Sequence, residues 1–215
     1  YSYSCVWHSG IDYKGKFNDH LTPNKYYKEL KSQLSISRQE KSIELRKKSM
    51  NSIDSAVIDF YEGRVNKSIN RLHKLWKTDN TSYKIAANLG VAYELAGQLD
   101  SALYWVKESI RINPKSHRNT EWLHVLILER KLEIDSIKIF NRIFIENDIA
   151  YFNYKGKKYN PGVVLRAIRY QLMERLVFVK ENSPIEGEVI ATAALLGQTH
   201  HSLKSTISTL KLSDR

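Results

Sequence analysis

Chain-breaking and cross-linking residues are scarce in this sequence. Its 215 residues include 9 Gly, 4 Pro and 1 Cys. The single cysteine, Cys5, excludes an internal disulfide framework, and so few glycines and prolines favour helices over a turn-rich β fold. No apolar run approaches the ~18 residues that a membrane-spanning helix needs. We therefore expect a mainly helical protein with no membrane-spanning segment in this sequence.

Acidic residues are outnumbered by basic ones. The 34 Lys and Arg residues exceed the 23 Asp and Glu residues, so the net charge is +11. Such an excess favours contact with acidic partners, which include nucleic acid, anionic lipid head groups and acidic proteins. The basic residues are spread along the chain, however, with local clusters only at 46–48 and 155–158. A solvated helical surface explains that spread more simply than a binding patch does.

The first part of the sequence has no sustained periodicity. We expect residues 1–22 to form an irregular N-terminal arm and residues 23–48 to form one helix or two short ones, opened by Pro23. The chain begins with Tyr1 rather than Met. We expect an extracytoplasmic location if a leader preceded Tyr1, and a cytoplasmic one otherwise.

Residues 49–150 repeat with an offset of 34 residues. Ser68, Ala102 and Ser136 coincide, and each is followed by an aliphatic residue. Gly63 and Gly97 also coincide, at the point where the first helix of a pair must end and glycine adopts the left-handed cap without penalty. Paired helices that cannot bury their apolar stripes alone stack on their neighbours. The pattern predicts three helix pairs with buried side chains at 68, 102 and 136.

The central unit of this pattern, about 83–116, resembles the tetratricopeptide repeat. The signature positions of that family are occupied by Leu89, Gly90, Tyr93, Gly97, Ala102 and Pro114. The flanking units diverge, with Asp59 in place of the usual tyrosine in the first, and His124 and Lys131 in place of a small residue and the turn glycine in the third. The resemblance implies an all-α superhelix of helical hairpins that binds other proteins.

The 34-residue period breaks beyond residue 150. Aromatic residues alternate with polar ones around Lys155-Gly156, so residues 151–163 are expected to form a loop or a short hairpin near 150–159. Helical spacing resumes over 164–215, which we interpret as C-terminal helices forming a divergent fourth repeat. Because solenoids usually end in a polar capping helix, we expect the natural protein to continue beyond Arg215.

The resemblance also places a partner-binding groove on the concave face, lined by the first helix of each repeat. An extended or helical peptide with apolar anchors is the expected partner. The carboxylate clamp that some members of the family use is not expected, because Ile53, Val57 and Trp122 replace three of its polar residues. The groove residues that the resemblance implies are Ile53, Val57, Phe60, Lys84, Ala87, Val91, Glu94, Leu95, Arg118, Glu121, Val125 and Leu128.

The densest group of titratable residues is His117, Glu121 and His124, which are spaced to share one face of a helix. Two imidazoles and a carboxylate suit a metal ion. Their spacing is not that of the zinc-protease helix, so we predict a packing role and no metal or other cofactor. Gly-rich phosphate loops, Gly-x-Ser-x-Gly elbows and Cys-x-x-Cys pairs do not occur in the sequence, and His200-His201 lie in a predicted turn.

These observations favour a non-enzymatic protein-interaction module over two alternatives. The first alternative is a basic accessory subunit that contacts nucleic acid, suggested by the net charge of +11 and the Trp and Tyr content. The second is a metal-dependent enzyme, suggested by the histidine and glutamate spacing alone. A partner protein or peptide is expected in the groove, and its identity does not follow from the sequence.

Overall fold

The structure is a computed structural model that describes residues 52–147, 149–175, 184–193 and 195–196, together with Lys47. The predicted N-terminal arm at 1–22 lies outside the described residues, and so do the helices predicted at 23–48, apart from Lys47. Cys5 and His200-His201 also lie outside them.

Two helix pairs open the described part of the chain. Helices α1 (Ser52–Tyr61) and α2 (Val65–Thr78) form the first pair, and α3 (Tyr83–Leu95) and α4 (Leu99–Ile112) form the second. The two pairs are related by the predicted 34-residue offset, since α2 and α4 begin at 65 and 99 and end at 78 and 112. The periodicity of the sequence thus places both pairs correctly.

Small residues set the distance between the helices of these pairs. Gly63 and Gly97 occupy the turns with φ of 78° and 75°, the left-handed conformation that was predicted for them. Ser68 and Ala102 have no exposed surface. The Ser68 hydroxyl donates a hydrogen bond of 2.7 Å to the carbonyl oxygen of Ala56 on α1. The predicted close packing is confirmed for these two pairs.

The third predicted helix pair, at 117–150, is wrong in its second half. Helix α5 (Glu121–Lys131) supplies a first helix and follows a 3-10 turn at Ser116–Asn119. Beyond α5 there is only a second 3-10 turn, Ile139–Arg142, before the chain enters a strand. Ser136, which was predicted to be buried, is exposed. The 34-residue period therefore ends with α5.

Local residue types explain why no helix forms here. Lys131 stands where the first two pairs have glycine, and the left-handed residue falls later, at Glu133 with φ of 58°. Further along, Ile143-Phe144-Ile145 combines β-branched and aromatic side chains, which fit a pleated sheet and lose rotamer freedom in a helix. The chain is therefore mainly helical with a small sheet, and the all-α prediction is corrected to that extent.

The sheet has three antiparallel strands in the order β1-β2-β3. These are β1 (Ile143–Glu146), β2 (Ile149–Tyr154) and β3 (Lys157–Tyr159). Lys155 and Gly156 join β2 to β3 with φ of 50° and 77°, which is the pair of left-handed residues that a type I′ hairpin turn requires. The hairpin predicted near 150–159 is confirmed, whereas β1 was not predicted.

Helix α6 (Pro161–Arg175) and a helix over residues 184–193, termed α7, follow the sheet. They help to form a second core. It is distinct from the first core, that of the helix pairs, which includes Leu72, Leu89 and Trp105. None of the helices in the described part of the chain is long and apolar enough to cross a membrane. The buried residues of the second core include Leu123, Leu126, Ile127, Phe152, Ile168, Leu172 and Val189.

Candidate functional site

The predicted groove residues differ widely in their exposure. Lys84 and Arg118 are exposed, whereas Ile53, Val91, Glu94 and Leu95 are half-buried. The other six are covered by the chain itself and cannot contact a partner without rearrangement. These buried residues are Val57, Phe60, Ala87, Glu121, Val125 and Leu128.

Helix α5 carries three of the six buried residues, and it is buried on nearly every side. Val125 and Leu128 pack against α4 in a cluster with Ala102 and Val106. The opposite face of α5 packs into the second core through Leu123 and its neighbours. The almost unbroken apolar run from 123 to 128 is the sequence feature that indicates such burial, since a helix that is apolar all round is a core helix.

Apart from Arg118, the predicted groove residues that keep some exposed surface lie on α1 and α3, which contact each other. Ile53 of α1 and Val91 and Leu95 of α3 pack against the core of the helix pairs and keep part of their surface exposed. Lys84 is exposed at the start of α3, and no ion pair with a described residue involves it. We call these four residues the α1–α3 strip. It combines an apolar floor with a positive charge.

His124 links α5 to α3 through both of its ring nitrogens. Nδ1 lies 3.2 Å from Glu121 Oε2, and Nε2 lies 2.9 Å from Glu94 Oε2. A neutral imidazole carries one N–H, so it donates to only one of two ionised carboxylates. The arrangement therefore fits the imidazolium form. The sequence predicted a packing role for His124, and its burial between two helices agrees with that.

Glu121 is held by two histidines. His117 Nδ1 is hydrogen-bonded to Glu121 Oε1, and His124 contacts the other oxygen. Burial by itself raises the pKa of Glu121, but the hydrogen bonds from His117 and His124 outweigh it and hold the pKa well below its usual 4.5. The three side chains are therefore in contact, but His117 lies in the turn before α5 and not on the helix face that the spacing predicted. Glu121 is 4% exposed, so its charge serves this network rather than a surface partner.

Lys131 extends the network to the C-terminal helices. Its Nζ lies 3.0 Å from Glu94 Oε1 on α3 and 2.7 Å from Glu186 Oε1 on α7. Glu94, one of the predicted groove residues, therefore contacts both His124 and Lys131. These contacts join α3, α5 and α7, which are distant in sequence. Glu94 therefore connects the helix pairs to the part of the fold that contains the second core.

The turn before α5 has an unusual backbone. His117, Arg118 and Asn119 have φ of 44°, 57° and 61°, and left-handed non-glycine residues cost about 1–3 kcal/mol each. Such a turn persists only where the surroundings fix it. Here the His117 ring stacks on Tyr170 of α6 at 5.9 Å and is held by Glu121. The turn leaves Arg118 exposed at the junction of the two parts of the fold.

Glu129 is a second buried carboxylate that joins separate elements. It accepts hydrogen bonds of 2.7 Å from the Tyr154 hydroxyl and 2.8 Å from Lys155 Nζ, and Lys107 Nζ lies 3.2 Å away. Burial raises the pKa of Glu129, and the bonds from Lys155 and Tyr154 lower it to a net value below 4.5. The contacts attach the β2–β3 hairpin to α5 and α4. Sequence reasoning could not find them, because Glu129 and Lys155 are remote in the chain.

Within the described residues, no three or more His, Cys, Asp or Glu side chains are arranged so that they could hold a metal ion. No protein-family model matches the chain, and no curated protein and no solved structure matches it significantly.

Proposed function

We propose that this chain is a non-enzymatic protein-interaction module that holds a partner peptide on the α1–α3 strip. The observation that carries the proposal is the recurrence of the helix pair at a 34-residue offset, with the first helices α1 and α3 in contact. This arrangement resembles the tetratricopeptide repeat, in which the first helices line the concave face. The half-exposed residues Ile53, Val91 and Leu95 supply apolar contacts there.

The burial of the other predicted groove residues narrows the proposed site. Val125 and Leu128 are excluded as direct contacts, since they fill the space between α5 and α4. Lys84 and Arg118 remain as exposed cations that can pair with acidic groups of a peptide. The proposed partner is therefore an extended or helical peptide with apolar anchors and acidic flanks. The net charge of +11 favours its approach.

The test is a pull-down with the Lys84→Glu, Arg118→Glu double variant beside the wild type. A matched control is the Lys74→Glu, Lys77→Glu double variant, which makes the same charge change at two exposed lysines. Both lie on α2, the second helix of its pair, and therefore outside the proposed groove. We expect partners of the wild type to be lost with the first variant and kept with the control. If both double variants recover the same proteins as the wild type, the groove assignment is wrong.

A basic accessory subunit for nucleic acid is the second candidate, and the net charge of +11 is the observation that favours it. Binding of this kind depends mainly on phosphate contacts, so affinity falls steeply as salt rises. Tight binding to random RNA or DNA, lost equally in the two charge-reversal variants, would favour this candidate over the peptide-binding module.

A further inference from the structure

The two edges of the sheet are built differently. Among the described residues, β1 and β3 each pair with β2 alone, so both have an edge that faces away from the sheet. Every second residue of an edge strand directs its backbone N–H and C=O outward. Such an edge is a template for another strand, and proteins usually block it with lysine, proline or a very short strand.

The β3 edge carries these protective features. The strand is three residues long, and Lys157 and Lys158 are both exposed on it. Each lysine also lies over a tyrosine ring, with Lys157 Nζ 4.8 Å from the Tyr159 centroid and Lys158 Nζ 4.5 Å from that of Tyr151. An incoming strand at this edge would have to displace or bury two cations.

The β1 edge carries neither lysine nor proline. Its sequence is Ile143-Phe144-Ile145-Glu146, and Phe144 and Ile145 are 46% and 66% exposed. Ile149, opposite Glu146 at the start of β2, is 67% exposed. Phe144 stacks on Tyr151 across the strands at 5.6 Å. Apolar side chains on an open strand edge are a liability unless something pairs with them.

We propose that the β1 edge accepts an extended segment of another protein as a fourth strand. The segment would form main-chain hydrogen bonds with β1, and its alternate side chains would lie beside Phe144 on one face and Ile145 on the other. Apolar residues at alternate positions suit both neighbours. This site is separate from the α1–α3 strip and does not depend on it.

Charge decides what kind of strand fits. Two copies of this chain would each carry a net charge of +11 and would repel one another. An acidic segment is attracted by the same positive field. The occupant is therefore an acidic, extended segment of a different protein, with apolar residues at alternate positions.

The variant Ile145→Lys gives β1 the protection that β3 already has. Its matched control is Ile134→Lys, because Ile134 is 64% exposed and lies outside the sheet. Both variants add one positive charge, which by itself strengthens attraction to an acidic peptide. A loss of affinity in Ile145→Lys alone would thus run against the charge effect and report on strand pairing.

The probe is a fluorescent synthetic peptide of alternating valine and threonine with two aspartates at each end, measured by fluorescence anisotropy with the full chain. We expect Ile145→Lys to weaken binding about tenfold or more, and Ile134→Lys to change it by less than about twofold. A second probe, with the same sequence and an N-methyl group on every valine and threonine, should lose binding because neither of its edges then carries N–H donors. Hydrogen exchange at residues 143–146 should slow when the first peptide is bound.

Several results would overturn the proposal. These are no binding of the first peptide to the wild type, equal binding to Ile145→Lys, and equal binding of the N-methylated peptide. A concentration-dependent dimer that Ile145→Lys abolishes would place a second copy at the edge instead. If the circular dichroism spectrum of Ile145→Lys matches that of the wild type, the loss of peptide binding is not caused by unfolding. Equal peptide binding by the Lys84→Glu, Arg118→Glu variant and by its Lys74→Glu, Lys77→Glu control separates this site from the proposed groove.

Discussion

Replacing Gly90 with alanine tests how closely α3 and α4 approach each other. Gly90 lies in the interior of α3, where an added Cβ would come 2.5 Å from Val106 Cγ2 and 3.3 Å from the Val106 backbone nitrogen. Val106 is 1% exposed, and a valine in a helix keeps essentially one side-chain rotamer. The methyl group therefore cannot turn away, and the two helices have to separate.

Two opposing terms set the change in the free energy of unfolding. Alanine is more favourable than glycine in a helix interior by about 1 kcal/mol. An extra methyl group forced into a well-packed interface costs about 1–3 kcal/mol. The upper part of that range applies at Gly90, because one of the atoms in the way is backbone. We expect Gly90→Ala to destabilise the chain by roughly 1–2 kcal/mol net.

The matched control is Gly187→Ala. Gly187 is exposed on α7, and nothing lies within 4 Å of a Cβ built there, so this change should stabilise by roughly 0.5–1 kcal/mol. Urea unfolding followed by circular dichroism measures both, and a shifted midpoint at unchanged slope reports stability. If Gly90→Ala stabilises the chain as Gly187→Ala does, the close approach of α3 and α4 is refuted.

Two further predictions concern His73 and Ser68, which both lie on α2. Burial and, secondarily, the charge of Lys77 lower the pKa of His73 below its usual 6.5. The unfolded chain therefore binds the proton more readily, and the contribution of His73 to stability is complete above pH 6.5 and is lost as pH falls through the folded pKa. An NMR titration that gives His73 a pKa of 6.5 or higher would contradict this. Ser68→Ala removes the buried hydrogen bond to Ala56 and should cost about 0.5–1.5 kcal/mol in urea unfolding, while an unchanged midpoint would show that the bond contributes nothing.

Local chemistry made much of the fold predictable. Gly63 and Gly97 mark turns because only glycine adopts positive φ without cost, and the period then fixes which residue of each second helix is small. The coincidence at Ser136 failed because a matching residue at one position does not make a helix when the following residues favour a strand. The β2–β3 turn was predictable from Lys155-Gly156, whereas β1 lacks such a turn signature.

The candidate site was less predictable, because burial depends on elements that are remote in the sequence. The periodicity assigned Val125 and Leu128 to the first helix of a repeat but could not show that α5 packs on both sides. Glu94 and His124 are 30 residues apart, and their 2.9 Å contact depends on the packing of α3 against α5. A single sequence gives the helix face of a residue but not which neighbour covers it.

A sheet stands where the second helix of the third pair was predicted, and this sheet helps to cover α5. A solenoid leaves an apolar helix face open at its end unless a polar cap covers it. Here Leu123, Leu126 and Ile127 form that face of α5, and the sheet, α6 and α7 pack over it. The Arg130 guanidinium, 2.8 Å from Glu188, and the Lys131 ammonium, 2.7 Å from Glu186, attach α7 to the same helix. The sheet, α6 and α7 thus cover the apolar face of α5 that the predicted second helix of the third pair would have covered.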